Sequence, residues 1–403
     1  MPSLPPPGEP VPDDGALPEM ALAEAPDRDF GIYLHVPFCA SRCGYCDFNT
    51  YTSDELGPGA DRGSYPATVL AEIALARRVV ADRVPAVSTV FVGGGTPTLL
   101  PSAALVEMLA AIDDTFGLAP DAEVTTEANP ESVTEESMAE LVAGGFTRIS
   151  FGMQSARSHV LRVLDREHTP GRAVAAVAEA RAAGFGQVSL DLIHGTPGET
   201  LDDWRASLEV AIEARPDHIS AYSLIVEEGT RLGALVRRGE LPAPDEDEQA
   251  DKYLLAEELL TAGGYHAYEI SNWASGPDTR CRHNLAYWRG EHWWGFGPGA
   301  HSHIGGVRWW NVRHPARYAE RLAEGLSPAE GRELLDTETR RIERVLLELR
   351  LDTGLPLAVL TATERARVPE LVREGLATVA EERLRLTLRG RLLADAIIRD
   401  LLD

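Results

Sequence analysis

Short apolar runs of strand character recur along the first half of the chain, each followed by a stretch whose apolar residues fall three and four apart. The runs are Phe30–His35, Thr89–Val92, Glu123–Glu127, Arg148–Met153, Gln187–Ile193 and His218–Ser223. The intervening three- and four-residue spacing predicts helices. One is expected to start with Thr169 as N-cap and Pro170 in its first turn, to carry Val174, Val177 and Ala178 on one face, and to stop at Gly184. Another runs through Met138, Leu141 and Val142 and ends at Gly144-Gly145. Six strand–helix units in succession imply an α/β fold with a parallel sheet curled into a partial (β/α)6 barrel, spanning about 29–264. The strand runs end in glycine or polar residues at Gly93–Thr96, Glu127, Gln154 and Asp191. Such residues can mark plain exits into loops, but four together point to a site at the C-terminal ends of the strands.

Elsewhere the pattern changes. Residues 1–28 carry eight prolines and a single basic residue, Arg28, with almost no aromatic or β-branched residues, so a disordered tail is expected. Residues 265–314 hold six of the seven tryptophans together with several histidines. From 315 to 403 the chain is helical and charged, as at Arg340–Leu351, which predicts a small, mainly helical, winged-helix-like domain with a short hairpin near Leu384–Leu388.

Composition adds limits. No run of 18 apolar residues exists and the N-terminus lacks a secretory pattern, so a cytoplasmic protein is expected. A net charge of −25, from 63 acidic and 38 basic residues, argues against a nucleic-acid partner. Three of the four cysteines fall in His35-Val-Pro-Phe-Cys39-Ala-Ser-Arg-Cys43-Gly-Tyr45-Cys46. Three thiolates in one short loop can ligate three irons of a [4Fe–4S] cubane and leave the fourth iron open to a small molecule. Structural zinc would need a fourth ligand, for which His35 is the local candidate.

Cys-x3-Cys-x2-Cys with Tyr45 before the third cysteine resembles the signature of the radical S-adenosylmethionine superfamily, and Gly93-Gly94-Gly95-Thr96-Pro97-Thr98 resembles its glycine motif. Within it, the chain is similar to the coproporphyrinogen III dehydrogenase-like branch from Tyr33 through most of the C-terminal part. That resemblance implies that Tyr33, Tyr45, Gly94, Gly95, Thr96, Glu127, Gln154, Arg166 and Asp191 bind S-adenosylmethionine. Dehydrogenases of the branch carry a further cysteine two residues after the third, where this chain has Phe48; Cys46-Asp47-Phe48 instead resembles the branch's haem chaperones.

His283-Asn284-Leu285-Ala286-Tyr287-Trp288 is similar to a motif associated with haem in those chaperones. A neutral imidazole from His283 suits haem iron, Tyr287 and Trp288 offer flat apolar faces, and Arg280, Arg282 and Arg289 could meet propionates. The plain alternative for His283 is a structural histidine in an aromatic core. Cys281 reads as a packed thiol, a haem ligand or a covalent attachment point. The resemblance implies a haem chaperone with a haem-acceptor protein and a flavodoxin- or ferredoxin-like electron donor as partners. Peripheral contact with membrane proteins, and a monomer or a homodimer, are further expectations. The alternative is an enzyme, the radical decarboxylation of coproporphyrinogen III, or radical chemistry on another substrate.

Overall fold

In the computed structural model the described residues are 8–56, 61–166 and 169–402. Strand and helix alternate as β1 (Phe30–Val36), α2 (Tyr65–Val80), β2 (Val87–Gly94), α3 (Ser102–Phe116), β3 (Leu118–Ala128), α4 (Glu135–Ala143), β4 (Arg148–Gln154), α5 (Ser158–Val163), α6 (Arg172–Ala183), β5 (Gln187–His194), α7 (Leu201–Glu213) and β6 (His218–Ser223), with α1 (Glu19–Glu24) ahead of them. β1 to β6 are parallel and adjacent in sequence order. After α8 (Arg231–Arg237) and α9 (Glu246–Ala262), β7 (His266–Ala267) and β8 (Asn272–Ala274) add antiparallel to the β6 edge. Then α10 (Arg282–Trp288) leads to β9 (His292–Phe296), which joins the opposite edge parallel to β1. β10 (His301–Ile304), β11 (Val307–Asn311) and β12 (Ala329–Leu334) continue that edge antiparallel, so one twelve-stranded sheet forms a partial barrel.

Period-two alternation explains why this barrel is hollow. Ile149, Phe151 and Met153 of β4, and Val188, Leu190 and Leu192 of β5, point outward into the helix-covered core. Their neighbours Arg148, Ser150, Gly152, Gln154, Ser189 and Asp191 face a cavity of about 750 Å3. Barrels filled by branched apolar side chains have no such lumen.

Three expectations change. First, residues 8–28 are not a free tail, although residues 1–7 lie outside the described ones. Glu9 bridges Arg332, Ala21 and Ala25 are fully buried, and Glu24 takes both Nη atoms of Arg340 at 3.1 and 2.7 Å. The strap packs against the β10–β12 edge with its alanines, a signal that composition averaged over the segment conceals. Second, α6 begins at Arg172 with Gly171 as its N-cap, rather than at Pro170 behind a Thr169 cap. Gly171 takes φ +79°, and the Thr169 carbonyl closes a turn with Arg172 N–H (2.9 Å) before the helix begins.

Third, the C-terminal unit starts beyond 315, because α11 (Pro315–Ala323) packs on α2 and β12 belongs to the main sheet. The separate core is built by α12 (Thr337–Glu348), α13 (Ala362–Arg373) and α15 (Ala394–Leu402), with α14 (Leu388–Leu392) between. A small sheet of β13 (Leu355–Pro356), β14 (Ala377–Ala380) and β15 (Arg383–Leu386) completes it around Val345, Leu349, Leu384 and Ile397.

Candidate functional site

The cavity has a roof, a wall and a floor. The roof is the loop after β1, which folds back on itself: Cys39 N–H donates to the Tyr51 carbonyl (3.0 Å) and Tyr51 N–H to that of Pro37 (2.7 Å). Asn49 anchors the loop by donating to the Pro298 and Arg313 carbonyls at 2.9 and 2.8 Å, and Gly44 is held through Leu164 and Leu232. Cys39, Cys43, Tyr45 and Cys46 all line the cavity. His35 is committed elsewhere. Its Nε2 faces the Asn49 carbonyl, which requires Nε2–H, so Nδ1 accepts from Tyr33 (both 2.9 Å). That disposes of His35 as a metal ligand. Among the described residues no three Cys, His, Asp or Glu side chains converge on one point, as a tetrahedral zinc would need. A cubane, in which each thiolate takes its own iron, suits thiols spread around a loop.

The wall places the other expected residues together. Gly94 has φ +112°, and its N–H donates to Glu127 Oε2 (3.0 Å). A Cβ on Gly95 would collide with the Phe38 carbonyl and approach Cys39 Sγ at 3.1 Å, so only glycine lets β2 pass this close to the cysteine loop. Asp191 accepts from Ser150 (2.9 Å) and Ser220 (2.7 Å). Burial, then the charge of Asp191, raises Glu127 to about 8, against the Gly94 N–H and Arg166. Gln154 ends β4 with φ +63°, a left-handed backbone uncommon for a side-chain-bearing residue and typical of functional strand ends.

Arg166 is the cation of the roof. Burial opposes its charge, but Tyr45 and the three thiols outweigh it and raise its pKa. Burial pushes Cys39 up, and Cys46 to about 11, so these thiols need such a cation or a metal to ionise. Arg166 Nε is buried with no partner. An orphaned guanidinium nitrogen beside a glycine cradle, two carboxylates and three thiols fits a ligand that carries a carboxylate, an ammonium and hydroxyls.

The floor is α10. Glu123, from the middle of β3, caps it by accepting from the N–H groups of Arg282 and His283 at 2.9 and 3.0 Å. His283 is buried, stacks on Phe91, and engages both ring nitrogens, Nδ1 with Thr89 Oγ1 (2.8 Å) and Nε2 with the Tyr287 hydroxyl (2.9 Å). Burial holds it neutral, at about 3. With both ring nitrogens engaged by hydroxyls, ligation of haem iron by His283 would require the Tyr287 or the Thr89 hydroxyl to be displaced. Tyr287 faces the lumen, but Trp288 packs outside with Tyr268, Leu285 and Leu351. Arg280 and Arg282 are spent on Asp352 and Asp121. Cys281 is a buried thiol raised to about 12 by burial, 3.6 Å from Glu123.

Sequence reasoning missed Arg148, Ser150, Phe91 and Ser220, although alternation from Asp191 and Gln154 places the first two on the lumen side. It also missed the rim. Phe48, Tyr222 and Ile225 line the mouth and are 60%, 45% and 70% exposed.

Residues 33–211 match the Radical SAM superfamily, and the open barrel with its three-cysteine roof makes this a radical S-adenosylmethionine protein. That superfamily implies a [4Fe–4S] cluster and S-adenosylmethionine. The chain is 53% identical over 381 residues to "Heme chaperone HemW" of Mycobacterium tuberculosis (strain ATCC 25618 / H37Rv), covering 94% of this chain and 97% of that one. It is 33% identical to "Heme chaperone HemW" of Escherichia coli (strain K12), covering 91% and 96%. The chain belongs to this heme chaperone family. Coproporphyrinogen III oxidase (HemN) from Escherichia coli shares the fold, with a TM-score of 0.81 over 96% of this chain and 94% of that one at 24% identity.

Proposed function

We propose that the chain binds haem and passes it to an acceptor protein, on a scaffold whose roof holds a [4Fe–4S] cluster through Cys39, Cys43 and Cys46. Tyr33, Tyr45, Gly94, Gly95, Thr96, Glu127, Gln154, Arg166 and Asp191 hold S-adenosylmethionine beneath it. Arg166 pairs with the cofactor's carboxylate, Glu127 and Asp191 take its donors, and Gly94 and Gly95 give it backbone contact. The cluster and cofactor supply one-electron chemistry, with a flavodoxin- or ferredoxin-like reductant; the fold's part is positioning and exclusion of water. The reaction compartment is the cytoplasm, and the protein acts as a monomer or homodimer.

The observation that carries the haem reading is the rim. Three large apolar side chains left exposed on the lining of one cavity are the kind of surface that marks a binding site for an apolar ligand. Phe48 belongs to that surface and occupies the position of the dehydrogenases' extra cysteine. The test is a titration of anaerobic wild-type protein with haem beside an assay with coproporphyrinogen III. One haem per chain and no turnover are expected. The F48S/I225S double variant should lose roughly tenfold or more in haem affinity, since each side chain contributes on the order of 1 kcal/mol or more of apolar contact. Conversion of coproporphyrinogen, or haem uptake indifferent to the double variant, defeats the reading.

A further inference from the structure

Arg148 is a buried cation held by neutral acceptors. It opens β4, lines the lower cavity and is 2% exposed. Its Nη1 donates to Gln187 Oε1 (2.6 Å) and to the Thr279 carbonyl (3.1 Å), both neutral acceptors. Among the described residues it forms no ion pair. The carboxylates around it are satisfied by other donors: Asp191 by Ser150 and Ser220, Glu123 by the start of α10. Burial raises the Asp191 pKa, and Arg148 is near enough for its charge to lower it, without forming an ion pair with it. The histidine beside Arg148 is neutral. His218 bridges Ser189 (2.8 Å) and Tyr268 (2.9 Å), and burial, then the Arg148 charge, holds it well below the usual imidazole range. A buried guanidinium with unused donors is costly unless a ligand's anion meets it, and a planar fork matches a carboxylate.

The cavity is thus polarised along its length. Phe48, Tyr222 and Ile225 make the rim apolar, and Arg148 makes the floor cationic. Arg148 and Gln154 are the two ends of β4, roughly 20 Å of strand apart. Haem is polarised in the same sense, with its propionates on one edge and apolar groups on the rest. We propose that Arg148 anchors a haem propionate at the barrel floor, with the apolar edge of the porphyrin turned to the rim. This rests on the haem reading above and adds orientation and an anchoring residue to it.

The carboxylate could also belong to a small free acid, so the experiment separates the two sources. Full-length anaerobic protein without added S-adenosylmethionine is titrated with haem, with haem dimethyl ester and with succinate, for the wild type, R148M and R148K. Wild type should prefer haem over the diester by about ten- to hundredfold, the usual worth of a charged hydrogen-bonded contact. R148M should erase the preference, and R148K, which keeps the charge but not the fork, should keep part of it. Without ligand, R148M should melt within a few degrees of wild type, because relief of the guanidinium's desolvation offsets the loss of its bonds to Gln187 and the Thr279 carbonyl. If R148M fails to fold, R148K carries the comparison. Equal binding of haem and diester by wild type, or a preference that survives both variants, overturns the anchor while leaving the haem reading intact. Stabilisation by succinate that depends on Arg148, with haem indifferent to it, reassigns the floor to free acids and also overturns the proposal. Failure of wild type to take up either porphyrin removes the haem reading itself.

Discussion

Glu72 sits on α2 with its carboxylate buried, and three donors converge on it: the Tyr318 hydroxyl (2.5 Å), Asn311 Nδ2 (2.7 Å) and Gly297 N–H (2.9 Å). The loop it holds matters for the site, because Pro298 accepts from Asn49 and so fixes the roof. Burial outweighs the three donors and raises Glu72 to about 7. With the folded pKa above the unfolded value, the native state binds the extra proton. The contribution to stability is full below about 4.5 and is lost as pH rises through about 7, roughly 3 kcal/mol in all. E72Q cannot titrate, and its amide also turns a donor toward donors. The stability gap between wild type and E72Q should therefore narrow from pH 5 to pH 8. Parallel curves of melting temperature against pH in the two proteins would sink this account.

Among the elements, α10 is where the sequence misleads most. The six residues His283–Trp288 read as one haem-facing motif, yet a seven-residue helix places His283 and Tyr287 on the cavity side and Trp288 on the outer face. Helical spacing separates neighbours by about 100°, which leaves His283, Asn284 and Tyr287 on the cavity side and turns Trp288 away from it. In the present arrangement His283 ties α10 to β2 through Thr89. H283A should cost about 1–3 kcal/mol by leaving two buried hydroxyls unpartnered, while the Soret maximum of the haem-loaded protein stays put. A shifted Soret band with unchanged stability would restore His283 as the iron ligand. The six parallel strands, by contrast, were legible to within two residues at each end, because period-two alternation and buried apolar runs are local signals; the exception is β3, which starts at Leu118, five residues before Glu123. The cysteine triad was legible by its spacing, and Glu127, Gln154 and Asp191 as polar residues late in apolar strand runs; the structure sets all of them around one cavity. Arg148 and the rim were not, since a lone arginine at a strand start and three scattered apolar residues acquire meaning only when the sheet curls. The strap at 8–28 was hidden because its partners, Arg332 and Arg340, lie over 300 residues away.

For the whole molecule, two electrostatic terms of opposite sign compete. The net charge of −25 sets the acidic surface against itself, which disfavours the compact state. Against this stand ion pairs, several of which join the C-terminal unit to the barrel side: Arg391 with Glu257, Arg280 with Asp352, Arg340 with Glu24. Exposed pairs are worth about 0–1 kcal/mol each and fade with salt, but these three are partly shielded. Leu351 also packs with Tyr268 and Leu285 across the same join, a contact salt does not weaken. Diffuse repulsion acts between charges far apart, and it is screened as the Debye length falls from about 10 Å at 0.1 M toward 3 Å at 1 M. Close, half-buried pairs lose much less over that range. Repulsion is therefore the term that salt removes first, and the melting temperature should rise by several degrees between 0.05 and 0.5 M sodium chloride. Calorimetry should show both units melting in one transition throughout, since the join is apolar as well as ionic. A melting temperature that falls with salt, or a C-terminal transition that splits away, would mean that the ion pairs rather than the net charge govern the stability of the assembled chain.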